Sequence, residues 1–198
     1  MTTTSDSVSP RIAPLTPPYT DEVAEALAKW MPPGAAVEPL GLFRTLARNP
    51  HIMGRMRPLG AGILGSHGSI TSYEREIVID RTCARCACAY EWGVHAAVFG
   101  PLLEIPVERV RATALAAPDD PLWSEREALL VTLVDELHDT ARVSDATWAA
   151  LAKRWTDVQL IELIVIVGWY HLISFVANAA QVAPEPWATP FPADTQNG

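Results

Sequence analysis

The sequence is poor in the features that mark several large functional classes. It carries 15 Lys and Arg against 23 Asp and Glu, for a formal net charge of −8. No cluster of basic residues interleaved with aromatics occurs. A general nucleic-acid or anionic-membrane surface is therefore excluded, because each draws its affinity from concentrated positive charge. The opening run, Met1-Thr-Thr-Thr-Ser-Asp-Ser7, has neither a basic n-region nor an apolar h-region, so no secretory signal is read. Period-two alternation is missing, which removes half-buried strands from the reading. Cysteine is scarce and odd in number: three residues, Cys83, Cys86 and Cys88. Closely spaced thiols of odd number fit a reducing cytosol better than a disulfide framework, and a cytoplasmic location is expected.

A length of 198 residues suggests one domain and suffices to bury a substantial core. Residues 1–19 are rich in Ser, Thr and Pro and read as an extended, partly disordered arm. Residues 20–183 read as a single all-helical domain, and 184–198, with Pro184, Pro186, Pro190 and Pro192, as an irregular tail. Thr20 caps a helix over Asp21–Trp30, which Met31-Pro-Pro-Gly34 stops, and residues 35–41 form a loop. Helical spacing follows over Leu42–Arg48 and His51–Gly65, and Ser72 opens the central stretch. Pro106 starts a short helix. Ser124 and Glu127 form a capping box ahead of Ala128–His138, and Ser144 caps Asp145–Trp155. The last helix, capped by Thr156 or Asp157, is apolar all round: Leu163–Pro184 contains no Asp, Glu, Lys or Arg. It is long enough to span a bilayer, but Gly168, His171, Ser174, Asn178 and Gln181 mark it as a buried core or subunit-interface helix. The fold class is all-α, with six to eight helices, and the apolar last helix predicts an oligomer.

The chemistry concentrates in residues 76–100. Cys88, Glu91 and His95 are spaced i, i+3, i+7, so a helix puts a thiol, a carboxylate and an imidazole on one stripe. His95 suits general acid or base work near neutral pH. Glu91 is either its acid/base partner or a companion that orients it. Cys88 is either a low-pKa thiolate or a small buried apolar residue. Glu76 lies twelve residues before Cys88, about 18 Å of rise in one unbroken helix. No Pro or Gly separates them, so pattern alone draws a helix from Ser72 to Phe99. For Glu76 to join the site the chain must break near residues 80–84, where Thr82 can cap a second helix. Tyr90, Trp169 and His171 are the candidate pocket wall; His51, His67 and His138 are surface or structural. One straight helix cannot wrap four ligands around a tetrahedral ion, so no metal is assigned, and no cofactor.

Arg75-Glu76, followed by Cys88-Ala-Tyr90-Glu91-Trp92-x-x-His95 and Gly100, resembles the carboxymuconolactone decarboxylase and AhpD-like alkylhydroperoxidase superfamily. So do Arg11-Ile-Ala-Pro-Leu, Asp135-Glu136-Leu137-His138, Trp148-x-x-Leu151 and Glu162-Leu163 through Gly168-Trp169-Tyr170-His171 to Asn178. The resemblance spans residues 11–182. It implies an all-helical fold, a homo-oligomer (dimer, trimer or hexamer) and a small-molecule substrate. In AhpD-like peroxidases a Glu on one helix faces a Cys-x-x-Cys-x-x-x-His stretch on the next. Those positions fall on Glu76, Cys88, Glu91 and His95, so the second Cys is a Glu here. Thiol redox chemistry needs an attacking and a resolving thiol, and Glu91 is neither. Cys83-x-x-Cys86 is displaced upstream, and Cys86 and Cys88, two apart, point to opposite sides of a helix. The resulting expectation is a cofactor-free decarboxylase or isomerase of an activated acid or lactone, with Glu76, Cys88, Glu91 and His95 in the site. A thiol hydroperoxidase built on Cys88 is the alternative, and a non-catalytic ligand-binding oligomer the second alternative.

Overall fold

The computed structural model describes residues 9–31 and 38–193, and among them there are nine helices and no strand. They are α1 (Asp21–Trp30), α2 (Gly41–Leu46), α3 (Pro50–Ile63), α4 (Ser72–Arg85), α5 (Ala89–Leu102), α6 (Val107–Leu115), α7 (Glu125–Thr140), α8 (Asp145–Leu151) and α9 (Asp157–Ala180). The all-α expectation holds, with one or more helices beyond the six to eight read from the sequence. Thr20 caps α1 as expected. Residues 32–37, which hold most of the stop assigned to Met31-Pro-Pro-Gly34 and the first part of the loop at 35–41, lie outside the described residues, as do the tip of the arm and the last five residues of the tail. Residues 38–40 are irregular as expected, and Gly41 already belongs to α2.

The bundle is built around α4, which packs against α5, α6, α7 and α9. Its residues Glu74 to Cys83 are all buried, including Glu74, Arg75, Glu76, Asp80, Arg81 and Thr82. A polar helix at the centre of a bundle is stable only if its buried groups are paired. Arg81 makes a bidentate pair with Asp135 on α7, at 2.7 and 2.6 Å, and donates to the carbonyls of Thr113 and Ala116. Glu74 accepts from Arg126 Nε at 2.6 Å and from Trp155 Nε1 at 3.1 Å. Thr71 with Glu74, and Ser124 with Glu127, form capping boxes at the starts of α4 and α7. The two helices exchange contacts there: Arg126 reaches Glu74, and Tyr73 Oη donates to Glu127.

The helix drawn from Ser72 to Phe99 does break, at residues 86–88 rather than near 80–84. Thr82 caps nothing; its hydroxyl donates to the Val78 carbonyl one turn back. The stop is a Schellman closure, with Cys88 N bonded to Cys83 O at 2.8 Å and Ala87 N to Ala84 O at 2.9 Å. Ala87 takes the left-handed position with φ 50°. Glycine usually holds that position, and its replacement by Ala leaves the break unmarked in the sequence.

Segments before α1 and after α9 bind the bundle. Arg11 N and Ile12 N donate to Ala180 O at the end of α9. The region read as an irregular tail lies along α5: Thr189 N donates to Gly93 O at 3.0 Å, and Phe191 meets Trp92 edge-on at 5.3 Å. A Cβ on Gly93 would stand 2.6 Å from Thr189 O, so glycine here permits the close approach. α9 is long and apolar enough to cross a membrane by length and composition. Its face bearing Leu163, Ile166, Trp169, Tyr170 and Ile173 is buried in the bundle core.

Candidate active site

The short turn at 86–88 folds α5 back along α4 and carries His95 to Glu76. His95 Nδ1–H donates to Glu76 Oε2 at 2.7 Å. The other carboxylate oxygen of Glu76 accepts from Arg75 Nε at 3.1 Å. His95 Nε2 lies 3.1 Å from Tyr170 Oη, brought in by α9, and 3.7 Å from Glu91 Oε2, one turn earlier on α5. Phe99 stacks on the imidazole at a centroid distance of 5.0 Å, and the Tyr170 ring meets it edge-on. Glu76, Glu91, His95 and Tyr170 are all buried.

Burial alone would lower the pKa of His95. The carboxylate of Glu76, with those of Glu91 and Asp80 behind it, outweighs that penalty and pushes the imidazole up to about 9. At neutral pH His95 is thus an imidazolium, clamped at Nδ1 and holding a transferable proton on Nε2. Burial raises Glu91 above the ordinary carboxylate range, with His95 opposing. Burial likewise raises Asp80 well above it, and one Asp80 oxygen, Oδ1, has no hydrogen-bond partner.

Glu91, His95 and Tyr170 open onto a cavity of about 530 Å3. The remaining wall is mainly apolar, with Leu42, Phe43, Val94, Phe99, Trp169 and Trp187 prominent, and Lys29 and Arg57 add two cations. A volume of this size suits a small organic substrate, and a few convergent polar groups in an apolar wall are what orient one.

The structure sorts the residues singled out from the sequence into two sets. Glu76, Glu91 and His95 come together, and Trp169 lines the cavity. Cys88 is fully buried at the start of α5, is not among the lining residues, and burial pushes its thiol up to about 11. Tyr90 is not on the wall either; its hydroxyl donates to Glu185 Oε1 at 2.6 Å and accepts from Leu42 N, tying the tail to α2 and α5. His171 points elsewhere, to His138, at 3.0 Å between Nε2 and Nδ1. All three cysteines are unpaired.

Several residues of the site went unread. Asp80 sits one turn after Glu76 on α4, a spacing that could have flagged it as a companion on the same face. Trp187 carried no signal, being one aromatic in a proline-rich tail. Among the described residues, two groups hold three potential metal ligands close together: Glu76, Asp80 and His95, and Cys86, His138 and His171. The first suits a cation poorly, because the Arg75 guanidinium already pairs with Glu76 and burial favours the neutral form of Asp80.

No family model and no curated protein matches the chain. Solved structures do. An alkylhydroperoxidase AhpD core, a peroxidase-related protein from Ralstonia eutropha JMP134, superposes with a TM-score of 0.75 at 19% identity, covering 88% of this chain and 93% of that one. A peroxidase-related protein from Silicibacter sp. TM1040 gives 0.77 at 14% identity, over 96% and 100% of the two chains. The fold is AhpD-like. The debrominase Bmp8, solved as a cysteine-to-alanine variant with 2,3,4-tribromopyrrole, gives 0.74 at 13% identity over 91% and 95%. The AhpD-like fold thus hosts proteins with different named activities, and what this chain does has to be argued from its own site.

Proposed function

We propose that the chain is a small-molecule enzyme that moves protons through His95 to decarboxylate or isomerise an activated acid or lactone. One observation carries the reading: Glu91, His95 and Tyr170 face the apolar cavity, and Cys88 does not. In the isomerisation of a β,γ-unsaturated acid or lactone, Glu91 as carboxylate takes the α proton and the electron pair spreads over the carbonyl and the neighbouring C=C as a dienolate. His95 Nε2–H then returns a proton at the γ carbon, so that the double bond moves into conjugation. In a decarboxylation, the bond to the carboxylate breaks, carbon dioxide leaves, and His95 protonates the remaining enolate carbon. Burial keeps the Tyr170 hydroxyl protonated, so it can donate to the enolate oxygen in either case. Glu76 holds the imidazole in place and charged, and Arg75 fixes the other Glu76 oxygen. The apolar wall lowers the local dielectric, which strengthens each of these interactions. Three unpaired thiols fit the cytosol, where we place the chain.

The test is a screen of lactones, β-keto acids and unsaturated acids in D2O, followed by mass. Turnover or deuterium uptake with the wild type, reduced by about 10²–10⁴ in His95→Gln, is expected for a lost general acid. Equal rates in the two proteins would remove His95 from the mechanism.

A thiol hydroperoxidase is the second reading. The peroxidase-related names of two structural neighbours favour it. Brief treatment with one equivalent of an organic hydroperoxide decides between the two. A sulfenic adduct on Cys88, or loss of two hydrogens, replaces the first reading with the second.

A further inference from the structure

Cys86, His138 and His171 come from three separate parts of the fold: the turn after α4, the last turns of α7, and the middle of α9. His138 follows Cys86 by 52 residues and His171 follows His138 by 33, so no local ligand motif announces them. Cys86 Sγ lies 3.9 Å from His138 Nδ1, and His138 Nδ1 lies 3.0 Å from His171 Nε2. One donor atom from each falls within 4.8 Å of the other two. We propose that these three side chains form a binding site for one transition-metal ion of the Zn2+ type, separate from the proton-transfer site.

The geometry fits such an ion. Zinc takes sulfur at about 2.3 Å and imidazole nitrogen at about 2.0–2.1 Å in a tetrahedron, which places neighbouring donors about 3.3–3.6 Å apart. Two observed separations, 3.0 and 3.9 Å, straddle that range, and the third, between Cys86 and His171, is within 4.8 Å, so rotation of the Cys86 thiol toward His171 closes the site. The ligands are also held from behind. His171 Nδ1–H donates to the Val167 carbonyl at 2.8 Å, which leaves Nε2 as the lone-pair nitrogen aimed at the cluster. Asn178 Nδ2 donates to the Cys86 carbonyl at 2.8 Å and fixes the turn that carries the thiol. Arg85, the nearest cation in sequence, is engaged by Asp135 and Asp139.

A thiolate with two imidazoles selects borderline or soft ions over Mg2+ and Ca2+. Binding replaces the Cys86 S–H bond with an S–metal bond and releases one proton to solvent, while the His138 ring proton moves from Nδ1 to Nε2. Three protein ligands leave a fourth position for water or an outside ligand. All three residues are half-buried rather than sealed, so an ion has a way in.

The probe is Co2+ added to the reduced, purified full-length chain. One equivalent per chain with a thiolate-to-cobalt charge-transfer band is expected, and Zn2+ should displace it and raise the melting temperature. Cys86→Ser should lose the band. His138→Ala and His171→Ala should each weaken binding at least about tenfold, with unchanged helical circular dichroism showing that the fold survives. His95→Gln should keep both band and stoichiometry, which separates this site from the Glu76, Asp80 and His95 cluster. No band with the wild type, a band that survives in Cys86→Ser, or unchanged affinity in both histidine variants would overturn the proposal.

Discussion

His95 Nδ1 and Glu76 Oε2 are 2.7 Å apart although the residues are 19 apart in sequence and on different helices. That contact sets the charge of the imidazole. Glu76→Gln keeps an acceptor for Nδ1–H and removes the negative charge, the main influence holding His95 near 9 against its burial. The His95 titration, followed by NMR, is expected to move down toward or below its ordinary value of about 6.5. The alkaline limb of the pH–rate profile should move with it. A profile unchanged in Glu76→Gln would mean that the contact is structural only.

The same shifts govern stability. His95 binds its proton more tightly folded, with a pKa of about 9, than unfolded, near 6.5. Its contribution is fully present below pH 6.5 and is lost as pH rises through 9. Glu91 and Asp80, raised by burial, act with the same sign. Thermal unfolding should therefore show a falling melting temperature between pH 6.5 and 9, with up to about 3 kcal/mol lost. His95→Gln should flatten that slope; an equally steep slope in the variant would assign it to other groups.

The helical class was legible because capping residues and apolar spacing agreed over most of the chain, as at Thr20, Ser124 and Ser144. The Cys88, Glu91 and His95 stripe was legible as periodicity. Periodicity alone did not place Cys88, because i and i+7 share a stripe only within a helix, and Cys88 is the cap residue before α5 begins. The position of the break was hidden because Ala87 holds a conformation that normally advertises itself as glycine. The tail's part in the site through Trp187, and its tie to α2 and α5 through Glu185, were hidden because proline-rich sequence reads alike whether packed or free.

Cys88 separates the two functional readings at the level of one atom. Cys88→Ala removes the sulfur from a fully buried position and should cost about 1–2 kcal/mol of stability through the small cavity left. Proton-transfer activity should remain within a few-fold of wild type. Loss of all activity in a folded variant would move the chemistry to the thiol.

Gly93 tests the tail. Gly93→Ala puts a methyl group 2.6 Å from Thr189 O, so the segment carrying Trp187 and Phe191 must shift. A loss of about 1–3 kcal/mol is expected from overpacking, with KM rising more than kcat falls because Trp187 is cavity wall. Gly54→Ala on α3, where an added Cβ meets nothing within 4 Å, is the control and should stabilise by about 0.5–1 kcal/mol through helix propensity. Equal effects of the two substitutions would remove the tail from the site.

The outer face of α9 bears on assembly. Val158, Ile161, Val165, Leu172 and Phe175 are each 38–67% exposed. With Gly168 between Val165 and Leu172 they follow the alternating three- and four-residue interval of a helix–helix seam. An added Cβ on Gly168 would meet nothing within 4 Å, so a second helix can approach closely there. A contiguous apolar stripe of this length is costly to leave in water, and the chain is expected to self-associate through it. Light scattering at micromolar concentration should give at least twice the chain mass of 21.5 kDa. Ile161→Asp with Phe175→Asp should return the mass to that of one chain while helicity is kept, since neither side chain is buried in the bundle. A single-chain mass for the wild type would mean that the stripe is covered by something other than a second copy.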